Sequence, residues 1–405
     1  MAASPILNQV ALVLAGVSSR TPADAALRAY FAENRRLNSA VRRAITRAFF
    51  SYYRWREWLE PRSSWQKKAA DALALQDRFE ARVDSVKVEA LRVRAVPSWL
   101  AREVELPAET LRQWQREPVL WLRGRPGQTA ALAKALGEAE RVDSAMLVRA
   151  GVSIRREDEL TALRYTGNQD LFTTPAFHEG QFEIQDLSSQ VVGYACAPKS
   201  GETWWDACAG EGGKTLHLAD LMGGKGLIWA SDRSVRRLET LKRRTARAKI
   251  FNYRTALWDG SAKLPTKTKF DGVLVDAPCS GVGTWQRNPH ARWTTTREDV
   301  EELASVQTEM LNAAATALKP GGRLIYAVCT LTRSETKAVA DAFTEGHSDF
   351  EPSAVFAIDA AAREGLSSPA CLIAETGAFT DTQVTLWPHM LNANGMFIAA
   401  WRKKR

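Results

Sequence analysis

The chain has 405 residues, a length that predicts two or three domains, and its 45% hydrophobic content is ordinary for globular proteins. No stretch approaches the about 20 consecutive apolar residues of a membrane-spanning helix, so we expect no membrane-spanning segment. Lysine and arginine outnumber aspartate and glutamate 55 to 46, and the whole excess lies in residues 1–130, with 22 basic and 13 acidic residues. A basic segment before a neutral body is typical of nucleic-acid-binding proteins.

The cysteine pattern argues against a disulfide framework and against a structural zinc site. Their number is odd, no C-x-x-C pair occurs, and the few histidines lack ligand spacing. We therefore expect a cytoplasmic protein without a bound metal. The apolar N-terminus has no basic start and is interrupted by Asn8 and Gln9, which indicates an amphipathic helix rather than a signal peptide. The five cysteines are Cys196, Cys208, Cys279, Cys329 and Cys371.

Residues 1–90 are predicted to be a helical, basic, RNA-binding region. Apolar residues at helical spacing predict helices over 23–34 and 39–59. Aromatic residues in the second helix are expected to form a core rather than to stack on bases. Arginine suits phosphate, which it can grip with two hydrogen bonds at once. The arginines of these segments are Arg35, Arg36, Arg42, Arg43, Arg47, Arg54 and Arg56.

Residues 91–185 are predicted to form a small α+β, ferredoxin-like module. Residues 96–100 are predicted to begin a short helix, and residues 118–124 are predicted to form a strand. A helix over 129–137 and two or three short strands up to Glu183 are predicted to follow. From about residue 186 strands and helices alternate, which predicts a doubly wound sheet over 186–405. The predicted strands are 203–207, 227–231, 253–257, 270–275, 323–328 and 395–401, and the predicted helices are 214–222, 234–249, 297–318 and 333–343.

The first turn of this sheet reads D-A-C-A-G-E-G-G-K-T over residues 206–215. Its glycines lie between a strand and a helix, where backbone can approach a ligand closely. Asp232 ends the next strand, the usual place for a carboxylate that binds ribose hydroxyls, and Asp259 follows the third strand. A phosphate-binding loop is excluded because Cys208 stands where its signature requires glycine.

Two cysteines follow two other strands. The stretch 269–284 passes from an apolar run to D-A-P-C-S-G, which places Asp276 and Cys279 at the strand end. Residues 321–332 read G-G-R-L-I-Y-A-V-C-T-L-T and place Cys329 in the same setting. Ligands bind at this edge of open α/β sheets. A nicotinamide dehydrogenase would leave these two cysteines unexplained.

These motifs, together with F-E-I-Q-D-L-S-S-Q at 182–190 and R-N-P-H-A-R-W at 287–293, resemble the RNA 5-methylcytosine methyltransferases. That family contains the bacterial 16S rRNA methyltransferase B and the Sun-domain proteins. The resemblance covers about residues 95–405 and implies a Rossmann-like, S-adenosylmethionine-dependent domain after a NusB-like helical region. The family turn usually reads C-A-A-P-G-G-K, and this chain departs from it by having Gly210-Glu211 in place of Ala-Pro.

The resemblance also implies roles. Cys329 would be the nucleophile that adds to cytosine C6, Cys279 would assist release, and Asp276 would hold the base. The thiolate of Cys329 needs stabilisation, for which Lys214 is a candidate. Cys196 and Cys371 are expected to be packing residues. The predicted cofactor contacts are Cys208, Ala209, Gly210, Glu211, Gly212, Gly213, Lys214, Asp232, Arg237, Asp259 and Asp276.

Alternatives remain for the substrate. The RNA is expected to be rRNA, with tRNA open, and the protein is expected to be a monomer without a membrane partner. Two basic features could contact RNA, a helix at 234–249 and the loop 284–297. A DNA cytosine methyltransferase would take its nucleophile from the first Pro-Cys motif and carry Glu-Asn-Val, which is absent here. A non-catalytic assembly factor would not need Cys329.

Overall fold

The computed structural model describes residues 4–18, 20–155, 158–356 and 381–405. The predicted packing residue Cys371 lies outside these ranges. The chain divides into two compact units. The first comprises Met1–Pro118, Asn168–Asp170 and Thr284–Thr296, and the second comprises Val119–Gly167, Leu171–Gly283 and Arg297–Arg405. The three-domain division drawn from the sequence, and the NusB-like assignment within it, stay predictions.

The first unit is helical. The aromatic side chains of its third helix form a core, as predicted: Phe49 and Trp55 are fully buried, and Phe50 and Tyr52 are half-buried. Asn38 caps the start of that helix by accepting the Val41 N–H at 2.9 Å. The helices of this unit are α1 (Pro5–Ala15), α2 (Ala23–Glu33), α3 (Ser39–Trp55), α4 (Trp65–Ala81), α5 (Val88–Arg94) and α6 (Ala108–Trp114).

Several arginines predicted to grip phosphate serve the helical unit instead. Arg54 is buried, which lowers the pKa of its guanidinium to about 10, and it donates to the Gln286 carbonyl at 3.3 Å. Arg42 donates to four backbone carbonyls, and Arg47 pairs with Asp77 at 2.7 Å. The prediction was wrong for Arg54, because that side chain is buried, whereas Arg42 and Arg47 are half-buried and their prediction stays open. Arg35, Arg36, Arg43 and Arg56 remain exposed.

The predicted RNA-contacting loop at 284–297 lies almost wholly in this unit, and two of its side chains are core residues. Trp285 and Arg292 are fully buried. The Arg292 guanidinium donates to Gln115 Oε1 at 2.8 Å, to the Ala95 carbonyl at 3.2 Å and also to the Trp114 carbonyl. Arg292 therefore satisfies backbone acceptors inside the unit and is not available to RNA.

The second unit contains a four-stranded antiparallel sheet in the order β2-β3-β1-β4. Its helices complete the predicted α+β character of this part of the chain. The ferredoxin-like assignment stays a prediction. The strands are β1 (Leu120–Gly124), β2 (Ala139–Arg141), β3 (Ala162–Tyr165) and β4 (Phe182–Ile184), and the helices are α7 (Thr129–Leu136), α8 (Ser144–Arg149) and α9 (Pro175–His178).

The larger sheet of the second unit has eight strands among the described residues. Five strands run parallel in the order β9-β8-β5-β6-β7, and β12 continues the sheet antiparallel to β9 and pairs with β10 and β11. The strands are β5 (Thr203–Asp206), β6 (Leu227–Asp232), β7 (Tyr253–Leu257), β8 (Phe270–Asp276), β9 (Leu318–Val328), β10 (Phe350–Pro352), β11 (Gln383–Leu386) and β12 (Met396–Lys403).

Helices cover both faces of this sheet, which confirms the predicted Rossmann-like α/β fold. Successive strand residues point to opposite faces, so Trp204 and Trp205 of β5 belong to two different hydrophobic cores. No helix of the described ranges has the length and apolar character needed to cross a membrane. The helices are α10 (Leu187–Cys196), α11 (Gly213–Leu221), α12 (Val235–Arg247), α13 (Arg297–Ala315), α14 (Lys337–Gly346) and α15 (Pro388–Leu391).

Strand β9 differs from its prediction. It begins at Leu318, five residues before the predicted start, and α13 ends at Ala315 instead of continuing to 318. Leu318 pairs with Phe270, the first residue of β8, and the register of the β8–β9 pair shifts between Phe270 and Gly272. Gly321, with φ at +79°, lies in this irregular part of the strand. This tertiary pairing incorporates the Pro-Gly-Gly stretch, which by itself is typical of a turn.

Candidate active site

The turn between β5 and α11 is shaped by its glycines. Gly210 and Gly212 have φ of +54° and +88°, a conformation that favours glycine. A Cβ at Gly212 would lie 2.7 Å from Leu241 Cγ, whereas a Cβ at Gly210 would meet nothing within 4 Å. The Gly212 N–H donates to the Ala209 carbonyl at 2.8 Å, which closes the turn. The space beside Gly210 lets a ligand approach the backbone.

Asp232 lies beside this turn and is buried. One of its carboxylate oxygens accepts the Gly210 N–H at 3.1 Å, and the other accepts the Ser234 N–H at 2.8 Å. The cap of α12 is Ser234, whose side chain accepts the Arg237 N–H. The exposed Arg237 guanidinium lies 3.7 Å from the Asp232 carboxylate. Asp232 thus has two local roles: it holds the turn between β5 and α11, and it supports the start of α12.

Asp259 and Glu211 are exposed, unlike the other predicted carboxylates. Asp259 accepts the Ser261 N–H at 3.0 Å, and hydrogen bonding to Ser261 lowers the pKa of its carboxyl. Asp259 and Arg233, the residue after Asp232, line one cavity of about 370 Å³. The side chain of Glu211, at the departure from the family turn, projects into solvent.

Cys208 and Ala209 lie in the first part of the turn between β5 and α11, just before Gly210. The Ala209 N–H donates to the Ser231 carbonyl at 2.8 Å, which ties the turn to β6. Burial, together with the negative charge of Asp276, raises the pKa of the Cys208 thiol well above its usual range. Cys208 therefore stays protonated and does not compete as a nucleophile.

A buried ion pair connects the first turn of α11 to the end of β8. Lys214 Nζ lies 2.6 Å from Asp276 Oδ2, with side-chain exposures of 10% and 27%. Burial by itself would lower the pKa of Lys214, but the Asp276 carboxylate outweighs it and raises this pKa. Lys214 is therefore a fixed positive charge at the edge of the sheet where the cysteines lie.

The two strand-end cysteines meet. Cys279 Sγ lies 3.3 Å from Cys329 Sγ, and both residues are half-buried. Their hydrogen bond has opposite effects on the two thiols. It lowers the pKa of Cys329 against the effect of burial, with a smaller contribution from Lys214, and it raises the pKa of Cys279 well above its usual range. The contact therefore favours ionisation of Cys329 over that of Cys279, and once Cys329 is a thiolate, Cys279 is the thiol that can donate to it.

Asp206, at the end of β5, is a buried carboxyl that the sequence reasoning did not single out. Burial raises its pKa to about 7, although the Thr215 hydroxyl donates to it at 2.6 Å. Its position at the strand end before the glycine turn is the signal that could have identified it. The sequence reasoning also did not identify the buried Glu335. Among the described residues, no group of three or more His, Cys, Asp or Glu side chains could hold a metal ion.

Residues 193–402 match the family model described as 16S rRNA methyltransferase RsmB/F, which is just over half of the chain. The chain belongs to the RsmB/F family. S-adenosylmethionine is the methyl donor of this family, which confirms the predicted cofactor. The glycine turn and the buried Asp232 fit it, because they offer open backbone and a carboxylate at one sheet edge.

Relatives of this chain in the RsmB/F family carry matching names. The probable ribosomal RNA small subunit methyltransferase B of Synechocystis sp. is 32% identical over 79% of this chain and 70% of its own length. The probable methyltransferase B of Bacillus subtilis is 36% identical over 57% of this chain and 50% of its own length. The chain thus spans 50–70% of the length of these two relatives.

Solved structures share the fold. The crystal structure of PH0851 matches with a TM-score of 0.72 and 25% identity, covering 99% of both chains. NSun6 from Pyrococcus horikoshii, solved with SFG, matches with a TM-score of 0.56 and 21% identity over 73% of this chain and 94% of its own. These matches support the Rossmann-like assignment made from the strand and helix pattern.

Proposed function

We propose that this protein transfers a methyl group from S-adenosylmethionine to C5 of a cytosine in RNA, through a covalent bond between Cys329 and C6. The observation that carries the proposal is the 3.3 Å contact between two thiols at the ends of neighbouring strands. Cytosine C5 is a weak nucleophile, and the addition of a thiolate at C6 makes it electron-rich. Of the two thiols, Cys329 is the one whose environment favours the thiolate.

The other residues of the site have complementary tasks. Asp276, held by Lys214, can accept a hydrogen bond from the cytosine amino group and so hold the base, and the positive charge of Lys214 can stabilise the negative charge that develops on the ring when Cys329 adds. S-adenosylmethionine, when bound, supplies the methyl group. A base such as solvent water must then take the C5 proton, so that the C5–C6 double bond can reform and expel Cys329 as a thiolate. Cys279 is placed to take part in this release, because its sulfur contacts the departing one.

rRNA is the substrate class that the family favours, and tRNA is the alternative. Exposed arginines of the helical unit, among them Arg35 and Arg36, support RNA binding because they can contact phosphates. On α12, Arg236 and Arg243 are also exposed, whereas Arg244 and Arg247 pair with the buried Glu183 at 2.8 and 2.6 Å. The target base must be single-stranded or flipped out to reach a half-buried thiol.

Bisulfite sequencing of total RNA from cells with and without the gene tests this function. We expect one or a few cytosines of small-subunit rRNA to lose their protection when the gene is absent. In a parallel assay, RNA carrying tritium at cytosine C5 should release tritium when purified protein and S-adenosylmethionine are added. Methyl transfer without tritium release would place the methyl group elsewhere and contradict the proposal.

The replacement Asp232→Ala should weaken S-adenosylmethionine binding about tenfold or more, since a lost hydrogen bond to a carboxylate costs about 1.5–3 kcal/mol. Calorimetry on the protein without RNA measures this affinity. Ser234→Ala is the matched control, because it removes the cap of α12 and about 1 kcal/mol of stability while leaving Asp232 in place. Equal affinities of the two variants would show that Asp232 only supports the helix.

A further inference from the structure

The buried carboxylate of Glu335 connects the loops that carry the two cysteines. Glu335 is fully buried, lies six residues after Cys329, and is separated from the first residue of α14 by Thr336. Its Oε1 accepts the Ser280 N–H at 2.8 Å, and its Oε2 accepts the Ser280 hydroxyl. The same Oε2 accepts the Thr332 hydroxyl at 2.7 Å and the Thr330 hydroxyl at 3.1 Å. Ser280 directly follows Cys279, and Thr330 directly follows Cys329.

A second residue extends this connection. Gln307 of α13, also fully buried, donates to Glu335 Oε1 at 3.0 Å and to the Pro278 carbonyl at 2.9 Å. The Tyr326 hydroxyl lies 2.9 Å from Gln307 Oε1 and 2.7 Å from the Glu335 carbonyl. The residues before and after Cys279 are therefore both held by one network, whose centre is Glu335.

All five donors to the Glu335 carboxylate are neutral groups. Burying a carboxylate is costly unless hydrogen bonds compensate for lost water, and an apolar residue of similar size often stabilises a core equally well. A buried polar network of this kind can fix a geometry that apolar packing alone would not define. Here the network connects the two loops whose cysteine sulfurs are in contact.

We propose that Glu335 is a positioning residue that fixes the Cys279 loop against the Cys329 loop, so that the Cys279 S–H stays aimed at the Cys329 sulfur. The proposal rests on the function proposed above and deepens it. Glu335 itself touches neither sulfur. It acts on the reaction through Ser280 and Thr330, and so it should control how readily Cys329 ionises rather than how tightly the protein binds its ligands.

The test compares Glu335→Ala with Glu335→Gln. In the glutamine variant, Oε1 can still accept from Ser280 and Gln307, and the new NH₂ group can donate to hydroxyls that rotate to accept. We therefore expect glutamine to behave like the wild type. In the alanine variant the carboxylate that connects the two loops is absent. We therefore expect the pH midpoint for alkylation of Cys329 by iodoacetamide to rise by about one unit. A shift of that size corresponds to about tenfold less thiolate at neutral pH.

Alkylation is measured on the full protein without RNA, by mass spectrometry of the separate cysteine peptides. Cys196 is fully buried and must stay unreactive in every variant, which shows that the fold is intact. Glu345→Ala, which removes an exposed carboxylate from α14, is the matched control and should leave the pH profile unchanged. In the methylation assay, Glu335→Ala should lower kcat and leave KM for RNA and S-adenosylmethionine unchanged.

If Glu335→Ala does not fold, Ser280→Ala tests the proposal in its place. This variant removes only one hydroxyl of the network, at a half-buried position. A smaller shift in the same direction supports the proposal. A folded Glu335→Ala or Ser280→Ala protein with the wild-type alkylation profile overturns it. Because the alkylation readout needs no substrate, it stands apart from the methylation tests, and the failure of one can be distinguished from the failure of the other.

Discussion

We expect the Cys279→Ala protein to accumulate as a covalent complex with RNA in the presence of S-adenosylmethionine. Cys329 can still add to C6 and C5 can still be methylated, but release is impaired, so the RNA stays attached through Cys329. A denaturing gel should show a band of reduced mobility that RNase removes. Cys329→Ala should give neither the band nor methylated RNA, because the nucleophile is absent.

The 3.3 Å contact refines this expectation. Removing Cys279 also removes the S–H donor that lowers the pKa of Cys329, so Cys279→Ala should form its adduct slowly at neutral pH. Cys279→Ser keeps a donor and should react faster, by about tenfold. This difference should shrink as pH rises, because Cys329 then ionises without help. A trapped band with Cys329→Ala but not with Cys279→Ala would reverse the two roles.

Local patterns predicted the elements that carry the candidate site. The short β-rich runs before Asp232, Asp276 and Cys329 each became a strand of one sheet, and their ends share one edge because the strands are parallel. The glycine turn before α11 followed from the same pattern. These features depend on residues close together in sequence, and periodicity and turn chemistry describe such residues well.

Features made by distant parts of the chain could not be predicted in this way. Glu335 stands in T-L-T-R-S-E-T, which by itself is typical of an exposed helix start, and its partners Ser280 and Gln307 lie 55 and 28 residues away. Arg54 and Arg292 appear in basic stretches and yet are buried among carbonyl groups. Whether a charged side chain is exposed depends on the acceptors that the tertiary fold brings to it.

The ion pair of Lys214 and Asp276 should have the largest effect on stability among the site residues. Asp276→Ala leaves a buried ammonium without its 2.6 Å partner. Since Asp276 is 27% exposed, the cost should be about 3 kcal/mol, the lower end of the range for buried pairs. Urea unfolding measures this cost, and methyl transfer should be lost in the same variant because the base is no longer held.

A double variant separates these two effects. Lys214→Met with Asp276→Ala removes the unpaired charge, so it should regain much of the stability lost in Asp276→Ala. Its methyl transfer should stay absent, because Asp276, which is proposed to hold the cytosine, and the stabilising charge of Lys214 are both gone. Lys319→Met is the matched control. It breaks a less buried pair with Asp271 at 2.8 Å, whose lysine is 43% exposed, and it should cost less than about 1 kcal/mol and leave activity unchanged. Methyl transfer by the double variant would show that the buried pair serves only the fold.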